Sequence, residues 1–255
     1  MTYFGFLLIF LVFPILLLLA AQVWHRQNVR LFWWAIGAQV LLALIYTTPW
    51  DNHLVATGVW YYNPKQVAGI LLGYVPLEEY AFFVLETLLA GLWWRFCSMR
   101  IRPDGNLRPS AHTRLWASVS VAVLWSILTI IFFSGWKPGT YLLITLTWAL
   151  PPIILQLAYG ADILWHKRRL VAATIVPLGI YLSAADALAI RAGIWAIDPR
   201  QSTGVFIGGL PIEEAVFFFV TIVLITFGMT LTLSEESRKR LPHPSQKDEQ
   251  VTVGE

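Results

Sequence analysis

The chain of 255 residues is 57% hydrophobic and only 13% charged, a composition that is not typical of soluble globular domains and that indicates a protein immersed in lipid. Its 18 basic and 15 acidic residues leave a formal charge of +3, which gives little support to nucleic-acid binding. A single cysteine, Cys97, excludes an internal disulfide and any zinc or iron–sulfur site built from several cysteines.

Seven mostly apolar runs are each long enough to cross a bilayer as a helix, which takes roughly 20 residues. We therefore predict an all-α polytopic membrane protein with seven transmembrane helices. The first run has no basic residues before it and is too long for a signal peptide, so we interpret it as a span. The predicted spans are residues 3–24, 31–50, 69–94, 115–133, 140–160, 170–185 and 205–233.

Lysine and arginine are concentrated in alternate loops. Only four of the 18, Lys65, Lys137, Arg191 and Arg200, fall in the loops on one side. Because positively charged loops stay in the cytoplasm, we expect a multi-pass protein of the cell membrane with its N-terminus outside and its C-terminus cytoplasmic. The polar tail, residues 234–255, is predicted to be a short disordered appendage.

The second half of the chain repeats the first. A constant shift that carries Asp51 onto Asp186 matches twelve of the positions between 51 and 86 with identical residues. The pairs that matter for function are Asp51 and Asp186, Trp60 and Trp195, Pro76 and Pro211, Glu78 and Glu213, Glu79 and Glu214, Phe82 and Phe217, and Phe83 and Phe218.

The shift carries the first three spans onto the last three and leaves the fourth as a connector. Because it moves the chain by four spans, the two repeats are parallel and their motifs face the same side of the membrane. We predict a first three-helix repeat over residues 1–96, a cytoplasmic loop and connector helix over 97–137, a second repeat over 138–233 and the tail over 234–255. A pseudo-twofold axis along the membrane normal would then place the two motif copies around one central cavity.

Each repeat has an outside loop that begins at the aspartate, and then a proline followed by two glutamates. Proline and acidic residues are typical of the first turn of a helix, so a purely structural explanation of Pro76, Glu78, Glu79 and their second copies exists. Glycines four residues apart, such as Gly69 and Gly73, have the spacing of a close helix contact.

Three features favour a functional role for the glutamates instead. Apolar sequence flanks them on both sides, and acidic groups inside a membrane are costly and mark functional sites. The pair occurs twice. Helical spacing also puts aromatic rings one turn away from the carboxyl groups. The rings are those of Phe82, Phe83, Phe217 and Phe218.

A carboxylic acid in an apolar cavity beside a second carboxyl group can keep its proton and act as a donor. Aromatic faces can stabilise a cation that has no hydrogen-bonding atoms. Protonation of an alkene followed by rearrangement of a carbocation needs these two devices.

Two further pairs are weaker candidates. Trp60 and Trp195 are either interfacial anchors or part of the mouth of the site. Asp51 and Asp186 either orient a glutamate or cap a loop, and the sequence does not decide between these roles. The histidines are scattered over loops and ends, so we expect no metal site.

The doubled Pro-Leu-Glu-Glu and Pro-Ile-Glu-Glu blocks, each with two following phenylalanines and a preceding Asp and Gly-Val-Trp or Gly-Ile-Trp, resemble the membrane-integral lycopene cyclase family. The resemblance covers nearly the whole chain and looks like the fused form of a two-subunit enzyme. It implies a non-redox isomerisation in carotenoid biosynthesis that closes the linear ends of lycopene into β-ionone rings, giving γ-carotene, β-carotene or both. It implies no cofactor.

In that interpretation Glu78, Glu79, Glu213 and Glu214 supply the acid and the base, with the member of each pair that donates left open. The phenylalanines and tryptophans would bind the substrate, which would reach the site from the bilayer. Association with other carotenoid enzymes is a further expectation.

Three alternatives compete with a cyclase. A prenyltransferase is disfavoured because neither Asp51 nor Asp186 has a second aspartate at helical spacing. A retinal receptor is disfavoured because residues 205–233 contain no lysine. A non-catalytic carotenoid-binding or transport protein stays open, as does another polyprenyl-modifying enzyme.

Overall fold

The computed structural model describes residues 1–22, 29–102 and 105–240 and confirms the predicted helical membrane bundle. Seven helices are long and apolar enough to cross a membrane. They are α1 (Tyr3–Gln22), α2 (Val29–Ala56), α3 (Leu77–Ser98), α4 (Ala111–Phe133), α5 (Thr140–His166), α6 (Arg168–Arg191) and α7 (Ile212–Leu233). A short helix, α8 (Glu235–Arg238), follows α7. The last residues of the first predicted span, 23–24, lie outside the described part of the chain.

Within the described part of the chain, six short strands that the sequence did not predict lie in the connections between helices. They form three antiparallel two-stranded ribbons. The pairs are β1 (Trp60–Tyr62) with β4 (Trp195–Ile197), β2 (Leu71–Leu72) with β3 (Val75–Pro76), and β5 (Phe206–Ile207) with β6 (Leu210–Pro211).

The hairpins β2–β3 and β5–β6 occupy the places where the third and seventh spans were predicted to begin, so those predicted starts are wrong. Gly69, Gly73, Gly204 and Gly208 adopt φ angles between 60 and 79°, which a right-handed helix does not contain. They therefore shape the hairpins and make no close helix contact. Helices α3 and α7 begin only after the hairpins, and the proline that precedes each helix is its N-cap residue.

Helices α2 and α6 run further than predicted, to Ala56 and Arg191. Asp51 and Asp186 therefore lie inside helices, near their ends, and not in the outside loops that the sequence suggested. Both side chains are buried.

The connections after α2 and α6 contact each other reciprocally. The Asn63 N–H donates to the Ile194 carbonyl oxygen across 2.9 Å, and the Asp198 N–H donates to the Val59 carbonyl oxygen across 2.8 Å. These are the same contact with the two halves of the chain exchanged, on either side of the β1–β4 ribbon. Such reciprocity is what a twofold arrangement produces. The division into two parallel three-helix repeats, with its domain boundaries, stays a prediction that these contacts support.

Helices α3 and α7 lie at the centre of the bundle and carry much of its core, including Leu89, Leu92, Ile222 and Met229. Helix α4 packs mainly against α5, and much of its remaining surface is apolar and exposed. Phe133 at its end, for example, is 80% exposed. An exposed apolar surface of this kind fits contact with lipid.

The start of the polar tail is ordered, so the prediction of a disordered appendage is wrong for residues 234–240. The Arg240 guanidinium contacts the Asp162 carboxylate across 2.6 Å, and Lys167 lies 3.2 Å from Glu236. Residues 241–255 lie outside the described part of the chain.

Candidate active site

The four motif glutamates lie in the first turns of α3 and α7, and all four are buried. The hairpins β2–β3 and β5–β6 end at Pro76 and Pro211, whose fixed φ suits the start of a helix. This local structure sets each glutamate pair at the same level in the bundle. The motif therefore does begin a helix in each half, as the structural explanation predicted. Whether a glutamate has a further role depends on the groups that its carboxyl group contacts.

Glu78 and Glu213 are bound to the loops that precede the hairpins. The Ala68 N–H donates to Glu78 Oε1 across 2.6 Å, and the Thr203 N–H donates to Glu213 Oε1 across the same distance. The Thr203 hydroxyl adds a bond of 2.7 Å to Glu213. One carboxyl oxygen of each glutamate therefore holds a loop in place through these hydrogen bonds.

Glu79 and Glu214 instead line one small cavity between the two halves, with a volume of about 30 Å³, which we call the acid cavity. Asp186 lies on the same cavity, and Trp195 Nε1 donates to its Oδ1 across 2.8 Å. The Tyr3 hydroxyl donates to Glu79 Oε2 across 2.5 Å. Among the residues that the structure describes on this lining, none is basic. Three carboxyl groups therefore share a site with hydrogen-bond donors but without a counter-ion.

Aromatic rings form the rest of the cavity wall. They belong to Tyr3, Trp60, Tyr62, Phe82, Trp195, Phe217 and Phe218. Phe217 stacks on Trp50 with ring centroids 5.5 Å apart and an angle of 3° between the planes, and Phe82 meets Phe218 edge to face at 6.1 Å. The wall is thus suited to an apolar guest and presents several π-faces to any positive charge within it.

Tyr62 belongs to β1, outside the membrane-spanning helices. Burial and the neighbouring Glu79 carboxyl group raise the pKa of its phenol well above its ordinary value. Tyr62 therefore remains a neutral donor on the wall of the cavity.

The structure brings eight of the predicted site residues to this cavity: Glu79, Glu214, Phe82, Phe217, Phe218, Trp60, Trp195 and Asp186. The others do not line it; they are Glu78, Glu213, Phe83, Asp51, Pro76 and Pro211. Asp51 is completely buried; its carboxyl group lies beside the Trp60 side chain, although neither oxygen makes a hydrogen bond of ordinary length with another described residue. Each aspartate thus faces the tryptophan of the connection that follows its helix, and neither receives a backbone N–H from the described residues; whether they also orient a glutamate stays a prediction.

Two tyrosines of the cavity were missed by the sequence analysis. Tyr62 corresponds to Ile197, so the repeat does not mark it. Tyr3 is hidden by a small offset between the first helices of the two halves. Its N–H donates to the Gln66 carbonyl oxygen across 2.8 Å, and the Tyr141 N–H donates to that of Gln201 across 3.0 Å. Tyr3 thus corresponds to Tyr141, and a repeat search that allows a gap of three residues would have paired them.

Glu86 is a fifth buried glutamate in these two helices, and it has no acidic counterpart in the second half. Its Oε1 accepts a hydrogen bond of 2.7 Å from the hydroxyl of Thr221, the residue that replaces it in the repeat. This bond joins α3 and α7, and Glu86 lines a neighbouring groove and not the acid cavity.

Within residues 1–22, 29–102 and 105–240, no group of three or more histidine, cysteine, aspartate or glutamate side chains is arranged to hold a metal ion. The expectation of a metal-free and cofactor-free site stays a prediction.

Comparison with known proteins places this site in a family. The family model described as Lycopene cyclase matches residues 1–97 and 138–232. A lycopene beta-cyclase of Halobacterium salinarum is 40% identical over 199 residues, which are 77% of this chain and 81% of that protein. No solved structure matches the chain.

Fungal relatives match with a smaller part of their length. A bifunctional lycopene cyclase/phytoene synthase of Podospora anserina is 29% identical over 227 residues, 85% of this chain and 37% of the fungal protein. One from Blakeslea trispora is 33% identical over 202 residues, 74% of this chain and 32% of the fungal protein. Since the family model covers most of the sequence and the two matched segments contain all the residues that line the acid cavity, the chain belongs to the lycopene cyclase family.

Proposed function

We propose that this protein is a lycopene β-cyclase, which converts the linear ends of lycopene into β-ionone rings by acid–base catalysis. The observation that carries the proposal is the placement of Glu79 and Glu214 on one aromatic cavity between the two halves of a membrane bundle. Family membership supports the same substrate. The product is γ-carotene, β-carotene or both.

The reaction needs a proton donor and a proton acceptor at the same substrate end. Tyr3 donates a hydrogen bond to Glu79, and an ionised carboxylate is the better acceptor of such a bond. We therefore assign Glu79 as the base and Glu214 as the acid. Glu78 and Glu213 hold the loops before the hairpins and position the other two.

The steps balance without any oxidant or reductant. The carboxylic acid of Glu214 adds its proton to the terminal carbon–carbon double bond, which leaves a tertiary carbocation. The next double bond attacks this cation, so that a ring carbon–carbon bond forms and the positive charge moves into the ring. The Glu79 carboxylate removes a ring proton, and the electron pair of that carbon–hydrogen bond becomes the ring double bond. The product is an isomer of the substrate.

After one turnover the proton has moved from Glu214 to Glu79. Asp186 lies on the same cavity and interacts with the Glu214 carboxyl group, so it can pass this proton back. The faces of Phe82, Phe217 and Phe218 stabilise the cation between the two proton transfers.

The substrate determines how the site is reached. Lycopene is a hydrocarbon that dissolves in the bilayer, so a cavity between transmembrane helices suits it. The cavity belongs to the outer half of the bundle if the N-terminus lies outside the cell, as the distribution of lysine and arginine predicts.

Expression in cells that accumulate lycopene, followed by chromatography of the pigments, tests the proposal. The wild-type chain should convert lycopene to cyclic carotenoids. Unchanged lycopene in cells that contain the inserted protein would refute the proposed activity. If the lycopene co-purified unchanged with the protein, the alternative of a non-catalytic carotenoid-binding protein would be favoured.

A further inference from the structure

Two grooves open on the outer surface of the bundle at equivalent positions in the two halves. The first groove lies between α2, α5 and the central helices, has a volume of about 210 Å³ and includes Leu42, Tyr46, Pro152 and Phe217. The second groove lies between α1, α3 and α6, has a volume of about 340 Å³ and includes Pro14, Leu17, Leu89 and Tyr181.

A tyrosine and a proline occupy equivalent positions in the two grooves. The Tyr46 hydroxyl donates to the Trp148 carbonyl oxygen across 2.8 Å, and the Tyr181 hydroxyl donates to that of Phe10 across 3.0 Å. Pro152 follows Trp148 by four residues, as Pro14 follows Phe10. Each groove therefore opens beside the same tyrosine-to-helix contact.

Only the first groove reaches the acid cavity. Phe217 lines both spaces and follows Glu214 by three residues, which is about 4.5 Å along α7 at the rise of an α-helix. In the second groove the lining of α3 begins at Leu89, ten residues after Glu79 and so about 15 Å away. Among the described residues, the second groove and the acid cavity have no lining residue in common.

Stacked aromatic rings lead from the mouth of the first groove to the acid cavity. Tyr46, which is 43% exposed, stacks on Trp148 at 5.5 Å. Trp148 stacks on Trp50 at 4.6 Å, and Trp50 stacks on Phe217 at 5.5 Å. Two polar contacts of this groove are made within the protein, since Thr221 donates to Glu86 and Gln156 Nε2 donates to the Leu224 carbonyl oxygen across 2.9 Å, whereas Gln156 Oε1 has no hydrogen-bond partner among the described residues. The groove therefore offers a guest mainly its aromatic and apolar wall.

We propose that the first groove holds the extended polyene chain of the substrate while one end group occupies the acid cavity. The inference rests on the proposed function for the identity of the polyene. The continuity at Phe217 and the planar aromatic wall favour a flat conjugated chain over a membrane acyl chain. Because only one of these two grooves reaches the acid cavity, the two ends of a symmetrical polyene are cyclised one after the other.

A pair of exposed leucines at the two mouths allows a matched test. Leu42 is 60% exposed at the first groove, and Leu17 is 56% exposed at the second. Leu42→Cys and Leu17→Cys are made separately in a Cys97→Ser background, purified into lipid nanodiscs and then treated with N-phenylmaleimide. Because the label is attached after folding, a defect cannot come from misfolding during synthesis.

Attachment at position 42 should lower the initial rate of cyclisation by about tenfold or more, whereas attachment at position 17 should change it by less than about twofold. Lycopene added before the maleimide should slow labelling at position 42 and leave labelling at position 17 unchanged. This protection is also measured in Glu214→Gln protein, in which the chemistry is blocked.

The outcomes separate the two proposals. Protection at position 42 in protein that has Glu214 intact but never cyclises lycopene would refute the proposed activity and keep the polyene site. Normal cyclisation with position 42 labelled, or without protection there, would overturn the polyene site and leave the activity standing. Protection at position 17 alone would assign the polyene to the second groove and also overturn the inference.

Discussion

Tyr3, at the first residue of α1, donates a hydrogen bond of 2.5 Å to the carboxyl group of Glu79 in the first turn of α3. The bond joins two residues that are 76 positions apart in the chain and fixes the carboxyl group at the wall of the acid cavity. The first helix therefore contributes directly to the site. The equivalent hydroxyl of the second half, that of Tyr141, lies close enough to Glu214 for the two side chains to interact but makes no hydrogen bond of ordinary length with it, so the two halves hold their acid groups differently.

Tyr3→Phe should reduce the rate of cyclisation by about tenfold, since a hydrogen bond to a charged group contributes roughly 1.5–3 kcal/mol. Tyr141→Phe removes the equivalent hydroxyl beside Glu214 and should change the rate by less than about twofold, because that hydroxyl makes no hydrogen bond of ordinary length. Initial rates are measured with purified protein and lycopene in nanodiscs. Equal defects in the two variants would show that the Tyr3 bond has no special role.

Glu79→Gln and Glu214→Gln should each lower cyclisation by about 100-fold or more, because an amide neither donates nor accepts the required proton and general acid–base catalysis contributes about 10²–10⁴. Both side chains are buried on the cavity, and glutamine has nearly the same size. Pigment analysis is normalised to the amount of inserted protein. A fully active variant at either position would remove that residue from the mechanism.

Glu78→Gln and Glu213→Gln should stay within about fivefold of wild type, because an amide oxygen can still accept the bonds from Ala68 and Thr203. Glu78→Ala leaves the Ala68 N–H without its acceptor and should destabilise the protein by about 1–3 kcal/mol. Activity and thermal unfolding in detergent are compared for these variants. A 100-fold loss in Glu78→Gln, with unchanged stability, would make Glu78 part of the proton-transfer chemistry.

Phe217→Leu should slow cyclisation by about tenfold, because leucine fills similar space without the π-face that stabilises a cation by roughly 0.5–2 kcal/mol. Phe219 is a suitable control, since it packs beside Gly179 and does not line the acid cavity. Phe219→Leu should leave the rate within about twofold. If the two variants behaved alike, cation stabilisation at Phe217 would have no support.

The predicted orientation can be checked with single cysteines in a Cys97→Ser background. Lys65 lies in the connection between β1 and β2, Arg238 ends α8, and both are exposed. A membrane-impermeant maleimide should label Lys65→Cys in intact cells and Arg238→Cys only after permeabilisation. The opposite pattern would reverse the predicted sidedness.

The sequence predicted the bundle and the motif because both depend on properties that a linear pattern carries. Long apolar runs specify the spans, and the recurrence of Glu79 as Glu214 picks out the acids that line the cavity. The different roles of the two adjacent glutamates in each motif could not be predicted from the sequence. Glu78 and Glu79 are adjacent in an identical motif, and only the fold shows that one faces a loop N–H and the other faces the cavity.

The remaining errors have local causes. The stretch from Gly69 to Pro76 is apolar enough to continue a span, so hydropathy concealed a hairpin that depends on the positive φ of Gly69 and Gly73. Tyr3 escaped notice because the first helices of the two halves are offset, which broke the constant shift elsewhere shared by the repeat. Contacts between distant helices, such as the one to Glu79, have no signal in a single sequence.

Proton donation by the protein to the polyene is the central claim, and a single-turnover reaction in deuterated water tests it most directly. Protein in excess is equilibrated in deuterated buffer, lycopene is added, and the first monocyclic product is analysed by mass spectrometry. The account predicts one deuterium in the new ring, delivered from a carboxylic acid that exchanged beforehand, and no product from Glu214→Gln. A monocyclic product without deuterium would contradict it.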